Sequence, residues 1–244
     1  MRDIKLKPFV LLIFIVSISV LIGCAPKTYR THPQFSTNCK LIKSYCLVKP
    51  DVEICEISAG GMKEIRDDWC AQGLENVVAA LQKTLALKKV DYKRITIDDD
   101  LKKEIEDIRA LYKAVSQSIR LHAIGPGPYV FPDKVASFDY SIGPIDTILN
   151  RYDCDALIIV YGTDAISTGG RKALMALGAI AGAFTGVVVM PAGGATTINF
   201  AVIDEGGNIL FYTSKAGAGY DLRKPESALS IVNQVVAEYP ECIK

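Results

Sequence analysis

Histidine is nearly missing from this chain: His32 and His122 are the only two in 244 residues. A site built on imidazole, whether a metal centre or a general base, therefore has almost nothing to draw on. A serine triad would need one of those two as its base, and Ser167 is not in a G-x-S-x-G elbow, because Ala165 stands where the first glycine belongs. Cys-x-x-Cys is absent too, which removes zinc ribbons, dithiol redox motifs and haem attachment. The glycine-bearing stretch Gly162 to Lys172 follows a β-prone run, yet it fits neither G-x-x-x-x-G-K-[ST] nor G-x-G-x-x-G. Charge of one sign is also lacking. With 28 basic and 27 acidic residues there is no positive face for nucleic acid. No metal, cofactor or catalytic set is expected. A hydrolase using Asp164, Ser167 or His122 stands as the remaining enzymatic alternative.

What is present begins at the N-terminus. Arg2, Lys5 and Lys7 precede an apolar run from Phe9 to Ile22, and Leu21-Ile22-Gly23-Cys24 follows. A basic start, a short apolar core and small residues at a cleavage point make a signal peptide over residues 1–23. The run falls short of the roughly 20 residues of a comfortable span. Leu-x-Gly-Cys in this position resembles the lipobox of bacterial lipoproteins, which implies cleavage after Gly23 and lipidation of Cys24. An uncleaved anchor, or ordinary cleavage beside a chance cysteine, are the alternatives. Cleavage would take Arg2, Lys5, Lys7 and Asp3 from the totals, leaving 25 basic and 26 acidic residues. The expected location is the periplasmic side of the outer membrane, since Ala25 rather than an aspartate follows Cys24; inner-membrane anchoring stays open. Export gives the other six cysteines a meaning: Cys39, Cys46, Cys55, Cys70, Cys154 and Cys242 are disulfide candidates. Six allow fifteen connectivities. The expectation is that the first four pair among themselves and Cys154 pairs with Cys242.

Residues 24–38 hold two prolines and no apolar periodicity, and are expected to be a tether. A single domain is expected over 39–244. Val52 to Ile57 alternates as a strand ended by Gly60-Gly61. Ile65, Trp69, Val77, Leu81 and Leu85 predict a helix over about 63–88, which Gly73 can break into two pieces. After a β-prone run from Tyr92 to Ile97, Asp98 is a good N-cap for the clearest helix, whose stripe is Leu101, Ile105, Ile108, Leu111, Val115 and Ile119, continued by His122. Gly125 to Tyr140 carries three prolines and is expected to be an irregular loop, with Tyr129, Phe131, Phe138 and Tyr140 either binding a partner or pinning the loop to the body.

A short helix is expected over 143–152. Asp155 to Gly162 is a continuous apolar run, predicting a strand buried on both faces. Thr163 to Lys172 is expected as a polar connection. Ala173 to Met190 carries no charge and spaces Gly178, Gly182 and Gly186 four apart, a pattern that admits close helix contact. A buried helix with a glycine contact face, a segment entering a membrane after oligomerisation, and a mobile flap are the three readings. Thr196 to Thr213 predicts a hairpin around Glu205-Gly206-Gly207, and Pro225 opens a last helix.

The sum is an α/β fold: a mixed sheet covered by helices, ending in a β-hairpin and a C-terminal helix. Residues 152–162, Tyr-Asp-Cys-Asp-Ala-Leu-Ile-Ile-Val-Tyr-Gly, and the hairpin from Phe200 to Tyr212 are similar to segments of the curli-secretion lipoprotein family (CsgG-like). The element order over roughly residues 50 to 240 also resembles the N-terminal domain of the Tol translocation protein (TolB). The segment 173–194 and the six cysteines depart from those patterns. The resemblance implies a periplasm-facing, lipid-anchored module that binds other envelope proteins. Action without catalysis is expected from the missing motifs, and a homo-oligomer stays open.

Overall fold

The computed structural model describes residues 29–97, 99–124, 129–185 and 193–240. The expected signal peptide, Cys24, Asp98, Gly186 and Cys242 lie outside them.

The fold is α/β, with one eight-stranded mixed sheet. Its strands are β1 (Tyr29–Thr31), β2 (Tyr45–Leu47), β3 (Asp51–Ile57), β4 (Lys63–Ile65), β5 (Tyr92–Arg94), β6 (Ala156–Ser167), β7 (Thr196–Ile203) and β8 (Ile209–Gly217). The order β1-β8-β7-β6-β2-β5 runs across the sheet, and β3 continues alongside β6 beyond β2, with β4 on its outer edge. β2 and β3 act as one strand interrupted at Pro50. Leu47 pairs with Ile158 and Asp51 with Tyr161, so three residues face two, a bulge where proline has no N–H to give.

The helices are α1 (Phe35–Asn38), α2 (Asp67–Leu87), α3 (Asp99–Ile119), α4 (Pro132–Ala136), α5 (Asp146–Tyr152), α6 (Gly169–Thr185) and α7 (Pro225–Ala237). They leave the sheet with a core on each side. Ala156, Ile158 and Val160 of β6 face α2 and α7, whereas Leu157 and Ile159 face α3 and α5. That is why the apolar run does not alternate: both faces are covered.

Several local expectations change on contact with the fold. Tyr29–Thr31 is paired with β8, and Phe35 packs on the core near Phe211 and Tyr239, so the second half of the expected tether belongs to the domain. Ile65 is exposed in β4 rather than opening a helix, and α2 starts at Asp67. Gly73 does not break α2. A side chain there would put Cβ 2.6 Å from Ile54 Cδ1, so glycine lets the helix sit close over β3. In α3 the turn of the helix carries Tyr112 and Ser116 inward and leaves Leu111 exposed at 49%. β6 runs five residues past Gly162, because Thr163 to Ser167 pair with β3, and Thr163 and Asp164 with β7 as well.

The hairpin forms as expected around Asp204 to Asn208. Gly207 adopts φ 77°, and a Cβ there would lie 1.7 Å from the Gly143 carbonyl oxygen.

The sulfur pairing differs from the expected one. Cys46 is bonded to Cys154, not to an N-terminal neighbour, and Cys154 is therefore not joined to Cys242. Cys39 is also disulfide-bonded. Cys55 and Cys70 are free thiols. They sit on adjacent elements but on opposite sides of the sheet: Cys70 of α2 receives the Ile54 N–H at 3.1 Å, while Cys55, one residue on, points to the other face.

Candidate functional site

The helix layer on the α3 side stops short of one end of the sheet. Glu53, Cys55 and Ile57 of β3 and Thr163 and Ala165 of β6 alternate onto that uncovered face. Together with Gly61, Lys63 and Ile65 of the β3–β4 hairpin, Arg171 and Gly193, they line an open hollow of about 600 Å³. Met62, at the hairpin tip, is 78% exposed beside it. Burial pushes the Cys55 thiol upward, with Lys63 pulling the other way, so this cysteine stays protonated near neutral pH and is a poor nucleophile.

The inner rim of the hollow is rigid. Lys113 of α3 reaches across to Asp51 (2.7 Å) and Glu53 (2.5 Å) and lies over the Tyr161 ring, while Tyr161 donates to Glu53 at 3.0 Å. Burial raises the Tyr161 hydroxyl to about 12, helped by the neighbouring Glu53 carboxylate. Burial works against Glu53 as an anion, and the bonds from Lys113 and Tyr161 outweigh it, leaving its carboxyl below the usual range. Nothing in the one-dimensional pattern marks this cluster, since Lys113 falls 60 residues from Glu53.

At the mouth of the hollow β6 gives way to α6. Arg171 is buried, and its guanidinium donates to the Ser58 carbonyl at 3.4 Å under the β3–β4 turn. Its backbone N–H meets Thr168 Oγ1 at 3.3 Å. Met175 approaches Gly193, which precedes β7. Beyond this root the helix is bare. Among positions of α6 whose burial is described, only Arg171, Met175 and Gly178 are not exposed. Leu174, Leu177, Ile180 and Phe184, spaced three, three and four apart, are 47%, 62%, 56% and 87% exposed. This corrects the expectation of a buried helix. Gly178 belongs to the same side as Arg171 and Met175, so the outward stripe is made of large apolar side chains rather than glycines. Gly182 lies within the helix, and Gly186 lies outside the described residues. Among the described residues no helix is long and apolar enough to cross a membrane.

The aromatic loop splits in two. Phe138 is buried and Tyr140 half-buried against it, their rings 5.2 Å apart, and Lys134 sits over Tyr140 while pairing with Asp139 at 2.6 Å. Those two pin the loop. Tyr129 and Phe131 are 69% and 52% exposed, and Tyr129 borders a second hollow of about 520 Å³ with Arg120, Leu121, Ile124 and Ala216. The stretch is also less irregular than expected, because Pro132 opens the short helix α4.

The three residues of the hydrolase alternative do not converge. Asp164 is buried, accepting from Thr196 Oγ1 at 2.7 Å and from the Leu222 N–H at 2.8 Å, a clamp between β7 and the approach to α7. Burial raises its carboxyl against the pull of those two bonds. Ser167 projects from the opposite face of β6, and its buried Oγ has no hydrogen-bond partner. His122 meets Ser118 Oγ at 3.1 Å and the Phe131 ring at 4.6 Å, at the far end of α3. Among the described residues no group of three or more His, Cys, Asp or Glu could hold a metal ion.

No protein-family model matches this chain, and no curated protein matches it either.

Proposed function

We propose that this chain is a lipid-anchored bacterial envelope protein, held to the periplasmic side of the outer membrane through Cys24, which acts without catalysis as an interaction or assembly module of the CsgG-like and Tol-domain-like type. The observation that carries the reading is the uncovered end of the sheet. An open hollow with an apolar floor (Ile57, Ala165, Ile65), a rigid charged rim and no converging catalytic groups suits a protein contact better than a small substrate. Tyr129 and Phe131 add a second adhesive patch. The Leu-x-Gly-Cys sequence and the Cys46–Cys154 disulfide, which fits an oxidising compartment, support the location.

The test has two parts. Replacing Cys24 by Ser should abolish acylation and move the protein out of the detergent phase; retention there overturns the anchor. A photoreactive residue at Met62 should give a discrete crosslinked protein in intact envelopes, lost on Ile65→Glu; no adduct at Met62 or at Tyr129 overturns the interaction role.

A second reading is an oligomeric, membrane-active assembly component using residues 173–194. The absence of any charged residue from Ala173 to Ile203 favours it. Crosslinking that yields only monomer in envelopes would remove it.

A further inference from the structure

Strand β1 is antiparallel to β8, with Tyr29 opposite Thr213 and Thr31 opposite Phe211. The backward direction of β1 at Tyr29 therefore points along β8 towards Gly217. Gly217 stands opposite Thr196, and Thr196 opposite Asp164. That is the end of the sheet where β6 runs out into α6. Four residues, 25 to 28, separate Cys24 from Tyr29, and the five steps span at most about 18 Å at roughly 3.3–3.6 Å each. The remaining length of β8, from Thr213 to Gly217, is about 14 Å at ~3.4 Å per residue. Cys24 is therefore within the reach of those five steps from Tyr29, and β1 at Tyr29 is directed towards the end of the molecule that carries α6.

Resting on the reading of Cys24 as lipidated, we propose that the outward stripe of α6 (Leu174, Leu177, Ile180 and Phe184) lies in the phospholipid bilayer that holds the anchor. The occupant of this bare helix face is lipid. Three features agree on it. The tether is too short to hold the domain clear of the surface. The helix has no acidic residue; of its two basic residues Arg171 is buried at the root against the Ser58 carbonyl, and the exposed Lys172 beside it is placed to meet headgroups when the rest is immersed. At roughly 25 Å for seventeen residues, the helix is shorter than the roughly 30 Å hydrocarbon core and suits lying in the interface better than crossing. A protein interface would be expected to carry a polar rim along its whole length, and from Ala173 to Phe184 α6 has no polar side chain. The consequence is a fixed orientation: two attachments at one end hold the hollow of the half-covered sheet next to the membrane, where partners embedded in it are met.

The test uses the full chain carrying Phe184→Trp, reconstituted in vesicles of phosphatidylethanolamine and phosphatidylglycerol, with the unsubstituted chain, whose one tryptophan is Trp69, as the baseline. Phospholipids brominated on the acyl chains should quench at least half of the added emission and leave the Trp69 baseline nearly unchanged. Adding Leu177→Glu and Ile180→Glu should cut that quenching at least fivefold; these positions are exposed, so an unchanged melting temperature shows the fold is kept. Emission from the indole introduced at position 184 that bromolipid does not quench overturns the proposal, whether aqueous iodide reaches it (a solvated helix) or not (a second copy or another protein covering it). Intact mass of the same preparation reads acylation of Cys24 separately. If the chain carries no acyl groups and the added emission is still quenched, the membrane contact stands and only the anchor is removed.

Discussion

Cys46 and Cys154 are bonded to each other across 108 residues of sequence, joining β2 to the entrance of β6, the parallel neighbour it pairs with. The bond closes a loop that holds α2, α3 and α5, so it constrains the unfolded chain over nearly half its length. Chain-entropy reasoning for a loop of about 100 residues gives about 4 to 5 kcal/mol. Cys46→Ala should lower unfolding stability by about 2 to 5 kcal/mol in denaturant titration. Peptide mapping without reductant should return the Cys46–Cys154 pair, with Cys55 and Cys70 alkylated.

Asp155 makes the acid side of the stability curve informative. Its Oδ2 accepts from the N–H groups of Lys43 and Ser44, each at 2.8 Å, and from Ser44 Oγ at 3.0 Å. Burial alone would raise this carboxyl, but those donors outweigh it and hold it below the usual 3.8. Because the folded value is the lower one, the stabilisation is fully present above the unfolded value and is lost as pH falls through the folded one. Asp155→Asn should cost about 1 kcal/mol at pH 7 and flatten the decline in melting temperature between roughly pH 5 and 2. An unaltered acid slope would rule out this residue as its source.

The inward face of α3 can be read by three substitutions. Ile108→Ala should cost about 2 to 5 kcal/mol as a buried truncation, whereas Leu111→Ala should change stability by less than about 0.5 kcal/mol. Tyr112 donates to Asn199 Oδ1 at 2.6 Å in the core. Removing that hydroxyl with Tyr112→Phe leaves a buried acceptor unpaired and should cost about 1 to 3 kcal/mol. Equal effects at 108 and 111 would place the wrong face against the sheet.

Gly207→Ala tests the hairpin. Left-handed backbone costs an alanine about 1 to 2 kcal/mol, and the Cβ would collide with the Gly143 carbonyl. A loss of at least about 2 kcal/mol is expected, together with faster amide exchange at Ile142, whose N–H donates to the Gly207 carbonyl at 3.0 Å.

Local patterning was enough for the layers. Five apolar residues in a row at 156–160 required a strand covered on both sides, and Glu205-Gly206-Gly207 required a tight reversal. The spacings of Leu101, Ile105 and Ile108, or of Val232, Val235 and Val236, required helices with one buried face. These are short-range patterns, set by the periods of helix and strand. Relations between residues far apart in the chain needed the folded molecule. Cys46 meets Cys154 because parallel pairing sets their strands side by side, and no count of cysteines contains that. Tyr29 becomes an edge strand because β8 offers an unpaired row of backbone groups, and the same polar sequence without that edge would read as linker. The Gly178 repeat suggested a helix packed by its small residues. Instead Arg171 roots that side against the β3–β4 turn and Met175 lies against Gly193, and the large side chains of Leu174, Leu177, Ile180 and Phe184 are turned outward. Composition gives a helix its sides, while its neighbours alone settle which side is covered.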